Sequence, residues 1–180
     1  MGQELETVRK VLDVLNKAFP RAKIYLNFGN HDKRLELYLA THAPELLDMN
    51  EFRLEYLLQA KEHNMLCIPE TSLAKMGKLT VTHGHLLLKG VFSPVNAARG
   101  TFLRAKSSTI VSHVHKVSMH SETTITGKAI VCYSTGCLCE LNPDYNPFAN
   151  NFQHGFAHVM TDGLNFQVKN MQMINGKIIT

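Results

Sequence analysis

Three short stretches concentrate the side chains that hold metal ions or move protons. They are Asn30-His31 in LNFGNHDKR, His83-Gly84-His85 in GKLTVTHGH, and His113-Val114-His115 in STIVSHVHK. Imidazole nitrogens and amide oxygens ligate divalent cations, and imidazole also carries protons near neutral pH. One histidine at a strand exit is an ordinary solvated loop residue. Three such bursts, each directly after an apolar run, point instead to a shared site, because catalytic groups gather on loops at one edge of a sheet. His113 and His115 are two residues apart, which puts both rings on one side of an extended chain.

The order and spacing of Gly29-Asn30-His31-Asp32, Thr82-His83-Gly84-His85 and Ser112-His113-Val114-His115 resemble the third, fourth and fifth motifs of the calcineurin-like metallophosphoesterases. The tail GCLCELNPDY…NNFQHGF resembles a phage and bacterial branch of that superfamily. The resemblance implies a four-layered αββα sandwich, two divalent metals (Mn, Fe, Zn or Ni) and hydrolysis of a phosphate mono- or diester. It implies Asn30, His83 and His113 as ligands of the second metal and His115 as a ligand of the first. It implies His31 beside the phosphate as the catalytic residue, with His85 in a supporting or phosphate-side role. The chemistry is that of two-metal sites, where the ions polarise phosphoryl oxygens and acidify a bridging water.

Two departures matter. Ser112 stands where the family has glycine, a mild change. More seriously, the family's first two motifs, Asp-x-His and Gly-Asp-x-x-Asp, should precede Asn30, and the one aspartate there is Asp13, inside a helical pattern. The bridging carboxylate, two ligands of the first metal and the aspartate that orients His31 are missing from these 180 residues. The chain therefore reads as a single truncated metallophosphoesterase domain, the C-terminal part, over residues 1–180. Completion is expected from an N-terminal fragment, from another reading frame, or not at all if the chain is a non-catalytic metal-binding or interaction remnant. Neutral amide and imidazole donors alone imply at most one tightly held ion, with Zn²⁺ or Ni²⁺ preferred to Mn²⁺.

The elements that must position these residues follow from periodicity. Glu4 to Ala18 reads as a helix with Val8, Val11, Leu12 and Leu15 on one face, ended by Pro20. AKIYLNF reads as a strand. KRLELYLATHAP reads as a helix that Asp32 would cap and Pro44 closes, and MNEFRLEYLLQAKEHN as another with Asn50 as N-cap. MLCI, GKLTVTHGH and STIVSHVHK read as strands, and SPVNAARGTFLRAKS as a helix with Ser93 as N-cap and Pro94 at its first position. A β meander follows, with turns at Thr126-Gly127-Lys128, Asp162-Gly163 and Asn175-Gly176. This order predicts a layered α/β or α+β fold rather than a doubly wound sheet. In the family the missing part holds two strands, so the strand Lys23 to Phe28 would have an open edge, inviting a fragment partner or homo-oligomer.

Composition excludes some classes. The chain is 44% hydrophobic and 19% charged, which suits a globular core. The formal charge of +4 is scattered with no basic run, so charge gives no argument for nucleic acid, although the phage-like branch leaves a nucleic-acid-related ester open. No apolar stretch approaches the ~20 residues of a membrane span, and a cytoplasmic setting (the host cytoplasm if phage-encoded) is expected. Cys67, Cys132, Cys137 and Cys139 read as reduced, mostly buried thiols. A structural zinc site on the cysteine cluster is a third reading, but the cluster has no matching second half in the sequence.

Overall fold

The computed structural model describes residues 2–90, 95–144, 147, 148 and 150–179. Two compact units are present, Met1–Thr71 and Ser72–Thr180.

In the first unit, helix α1 (Gly2–Ala18) precedes strand β1 (Ile24–Asn27) and helix α2 (Arg34–His42). Two 3-10 turns (Pro44–Leu46 and Asn50–Phe52) and a short helix α3 (Leu54–Leu57) lead to strand β2 (Met65–Ile68). β1 and β2 pair in parallel, Ile24 opposite Met65 through Asn27 opposite Ile68. Strand alternation turns Ile24, Leu26, Met65 and Cys67 toward one face, where they meet Leu12, Leu58 and Ala60. Of the predicted apolar stripe on α1, only Leu12 is buried, whereas Val8, Val11 and Leu15 are 41%, 53% and 39% exposed. β2 is the one strand paired with β1, and no strand pairs with the other edge of β1 among the described residues.

Two expectations in this unit are corrected. MNEFRLEYLLQAKEHN is not one helix. The chain adopts left-handed backbone at Gln59 (φ 53°) and Asn64 (φ 51°), which ends regular helix after one turn. Asn50 opens a 3-10 turn and caps nothing with its side chain. Asp32 likewise does not cap α2, whose N-cap is Lys33 without a side-chain bond. Its carboxylate instead accepts the Gly29 amide at 2.6 Å and closes the loop on itself.

The second unit is layered. Its five-stranded sheet runs β3 (Ala74–Met76), β4 (Leu79–Val81), β5 (Thr109–Val111), β7 (Ala129–Ser134), β6 (Ser118–Thr123), with β4, β5 and β7 mutually parallel and both edge strands antiparallel. A three-stranded antiparallel sheet of β8 (His154–Thr161), β9 (Phe166–Ile174) and β10 (Lys177–Ile179) packs on one face. Leu79, Ile110 and Tyr133 fill that interface with Ala157, Val159, Phe166 and Val168. Helix α4 (Ala97–Ala105) covers the opposite face through Ala98 and Phe102 on Ile130 and Cys132. The cross-strand pairs Ile110 with Tyr133 and Thr109 with Cys132 are successive, so they point to opposite faces and feed the two cores.

The N-cap of α4 is Asn96, which accepts the Arg99 amide at 3.0 Å. The predicted cap Ser93 and Pro94 lie outside the described residues. The hairpin turns of the meander stand where the sequence puts them, and the fold class is α+β. Strand β3 was not expected. Gly77 (φ +60°) turns it onto β4, and a Cβ there would sit 2.7 Å from the Leu164 carbonyl oxygen. Among the described residues, no helix is long and apolar enough to cross a membrane.

Candidate metal centre

Two of the three histidine bursts meet because β4 and β5 are adjacent and parallel, with Val81 opposite Ile110. Both strands leave the sheet at the same edge. The His83 carbonyl accepts the amides of Ser112 (3.2 Å) and His113 (2.9 Å), which locks the two exits together. Gly84 between the two histidines has φ +105°, and a Cβ there would lie 2.8 Å from Val111 Cβ. The His-Gly-His turn therefore requires glycine, because both the backbone angle and the contact with a buried side chain forbid anything larger.

The result is a cluster of imidazoles. His113 Nδ1 lies 3.2 Å from His83 Nε2, one nitrogen donating and the other accepting according to tautomer. The ring centroids of His83 lie 5.1 Å from His113 and 5.2 Å from His85, and His85 lies 6.0 Å from His113. This spacing suits a metal ion. With bonds of about 2.0–2.1 Å, two nitrogens on one ion stand about 2.9 Å apart at a right angle and about 3.4 Å apart at the tetrahedral angle. An apolar cleft of ≈ 400 Å³ is lined by Thr82 and Ser112, the residues before His83 and His113, and by Val111, Thr135 and Gly136.

His115 has a different environment. Its backbone is left-handed (φ 57°), its ring packs edge-on against Phe152 at 4.5 Å, and Nδ1 lies 3.9 Å from Cys139 Sγ. One ligand atom from each of His115, Cys137 and Cys139 lies within 4.8 Å of the others, so this group could hold a metal ion. The sequence offered no second half for the cysteine cluster, and the fold supplies one from a residue 24 positions away. All four cysteines are free. Cys132 and Cys137 are buried and Cys67 is half-buried, as expected of mostly buried thiols, whereas Cys139 is exposed. Burial, then the bond to and charge of Cys139, push the Cys137 thiol up to about 11. A cation at the group would act in the opposite direction. The sequence expectation of at most one ion assumed neutral donors, and these thiols, once a bound cation displaces their protons, would be the anionic donors that set lacked.

Asn30 and His31 belong to the first unit, on the loop after β1. Phe28 donates its amide to the Ile68 carbonyl at 2.9 Å, and Lys33 pairs with Glu70 at 2.9 Å, so both strand exits are tied at the base of this loop. The hydrogen bond to Glu70 and its charge raise the Lys33 pKa. Arg34 Nη2 donates to His31 Nε2 at 3.1 Å. Guanidinium cannot accept, so a neutral His31 ring carries its proton on Nδ1 in this arrangement. For His31 to donate a proton from Nε2, Arg34 must first move. Comparison with known proteins adds no assignment: no family model matches the chain, and no curated protein matches it.

Proposed function

We propose that this chain carries the nitrogen-donor part of a metal-dependent phosphoesterase site. Hydrolysis of a phosphate mono- or diester would be completed by carboxylates from outside these 180 residues. The observation that carries the reading is the 3.2 Å approach of His113 Nδ1 to His83 Nε2 at the exits of two adjacent parallel strands. That approach supports the second and third of the ordered motifs as parts of one site. His83 and His113 would hold one ion, and His115 would serve another. A bound ion supplies Lewis-acid activation of phosphoryl oxygen and of water. The chain's own residues then have distinct tasks. Gly84 would hold the flanking His83 and His85 in place, and a proton-donor role for His31 would require Arg34 to leave its Nε2. The edge of β1 that no described strand pairs and the exposed Val11, Val14 and Phe19 support a partner segment or second copy beside the first unit. A cytoplasmic setting belongs to the same reading.

The absence of Asp-x-His and Gly-Asp-x-x-Asp from the sequence favours a second reading, in which the same imidazoles bind metal without turnover. Hydrolysis of bis(p-nitrophenyl) phosphate with Mn²⁺, with and without a supplied segment carrying both acidic motifs, separates the two. Turnover that needs the segment and is lost in His83→Ala supports the enzyme. Metal binding without turnover in every combination supports the remnant.

A further inference from the structure

The geometry points to a thiolate-rich site for one thiophilic divalent cation of the Zn²⁺ class, held by His115, Cys137 and Cys139. It stands apart from the phosphoesterase reading. His115 is a ligand in both, but the two thiols have no role in that reading.

Three observations carry it. The first is spacing. A tetrahedral ion with bonds of about 2.3 Å to sulfur and about 2.0–2.1 Å to nitrogen sets sulfur and nitrogen about 3.6 Å apart. Cys139 Sγ and His115 Nδ1 stand at 3.9 Å, and all three ligand atoms lie within 4.8 Å. A shift of a few tenths of an ångström in the exposed Cys139 side chain brings that pair to tetrahedral spacing, and the other pairs need at most about 1 Å. The second is preorganisation. The Gln153 amide donates to the His115 carbonyl (2.9 Å), the Cys137 amide donates to the Gln153 carbonyl (2.8 Å), and the Gly155 amide donates to the Cys137 carbonyl (3.1 Å). His154 Nε2 donates to the Cys139 carbonyl at 2.8 Å. Residues 153–155 thus clamp the backbones of all three ligands. Gly136 permits this closeness, because a Cβ there would collide with the Gln153 carbonyl and sit 2.5 Å from the Gly155 amide nitrogen. The third is strain. His115 holds a left-handed conformation that non-glycine residues rarely adopt, and such positions gather where a side chain must be aimed.

The donor set fixes the ion class. Two thiolates and one imidazole are soft to borderline donors and select Zn²⁺ over Mg²⁺, Ca²⁺ or Mn²⁺. Two thiolates neutralise a dication. Each sulfur–metal bond forms by displacement of a thiol proton to solvent, and neutral His115 gives the lone pair of Nδ1, with no change of oxidation state. Three protein ligands leave one coordination position for water or an anion.

The test uses the full chain, reduced, titrated with Co²⁺ and Zn²⁺ alone. The expected result is a near-ultraviolet thiolate-to-cobalt charge-transfer band that saturates at one equivalent and is displaced by Zn²⁺. His115→Ala and Cys139→Ala each weaken binding at least ~10-fold, by comparison with losses of 10–100-fold from outer-shell changes alone. The band is absent in Cys137→Ser with Cys139→Ser and persists in His83→Ala with His113→Ala. Cys139 is exposed, so Cys139→Ala keeps the test valid if the double variant does not fold. Absence of the band in the folded parent, or its survival in a folded variant lacking both thiols, overturns the site. Loss of the band only in the His83 and His113 variant also overturns it, by assigning the ion to the imidazole cluster.

Discussion

Replacing Gly84 by alanine tests the fold's hold on the imidazole cluster. At φ +105° the backbone lies outside the regions open to L residues, a strain of about 1–3 kcal/mol. The added Cβ would stand 2.8 Å from Val111 Cβ and 3.0 Å from Val111 Cγ1, and Val111 is 1% exposed and cannot retreat into solvent. Overpacking of this kind costs about 1–3 kcal/mol. The sum, about 2–6 kcal/mol, is a large share of the ~5–15 kcal/mol that holds a typical domain. With a urea slope of ~2 kcal/mol per M, a loss of ~4 kcal/mol lowers the unfolding midpoint by ~2 M. The new Cβ would also come 3.7 Å from His113 Cβ, so the shift passes directly to a proposed ligand, and under that proposal Zn²⁺ affinity at the cluster should fall with stability. A double-mutant cycle with Val111→Ala isolates the clash, because the pair should lose less than the sum of the single changes. Gly127→Ala is the control: φ is +79° but nothing lies within 4 Å of the added Cβ, so only strain remains. If Gly84→Ala unfolds within ~0.5 kcal/mol of the parent and binds Zn²⁺ equally well, the account of this turn is wrong.

Other outcomes follow from single sites. Asn96→Ala removes the cap of α4 and should cost ~1 kcal/mol in urea unfolding. The Cys67 thiol is pushed up to about 11 by burial, then by the charges of Glu55 and Asp32. Its alkylation at pH ~8 should run roughly two orders of magnitude slower than that of a free thiol and accelerate with pH, as mass spectrometry of modified peptides will show. Hydrogen bonds from the Asn165 amide and side chain and from the Leu164 amide hold the Asp162 carboxyl below its ordinary 3.8. A depressed carboxylate stabilises its hairpin above the unfolded value and loses that support as pH falls through the folded one. Amide protection in β8 and β9 should therefore drop below pH ~4, and Asp162→Ala should remove that pH dependence.

Local signals explain what was legible in the sequence. Glycine turns and alternating side chains located β6 to β10, because hairpin register depends on residues close in sequence. The meeting of His83 with His113 was foreseeable as strand-end convergence, since parallel neighbours leave a sheet at one edge. The break in the α3 region was not legible. Its apolar spacing is helical, and the turn depends on left-handed backbone at Gln59 and Asn64. Strand β3 is three residues long and exists through its pairing with β4. The approach of His115 to Cys139 was hidden because the two lie 24 residues apart, and backbone hydrogen bonds at the entry to β8 draw their segments together.

The most direct measurement is an anomalous difference map from crystals of the full chain soaked in Zn²⁺. The account predicts a peak between His83 and His113, about 2.0–2.1 Å from both Nε2 of His83 and Nδ1 of His113. Density showing the two rings still bonded directly to each other, with no ion between them at saturating Zn²⁺, would contradict it.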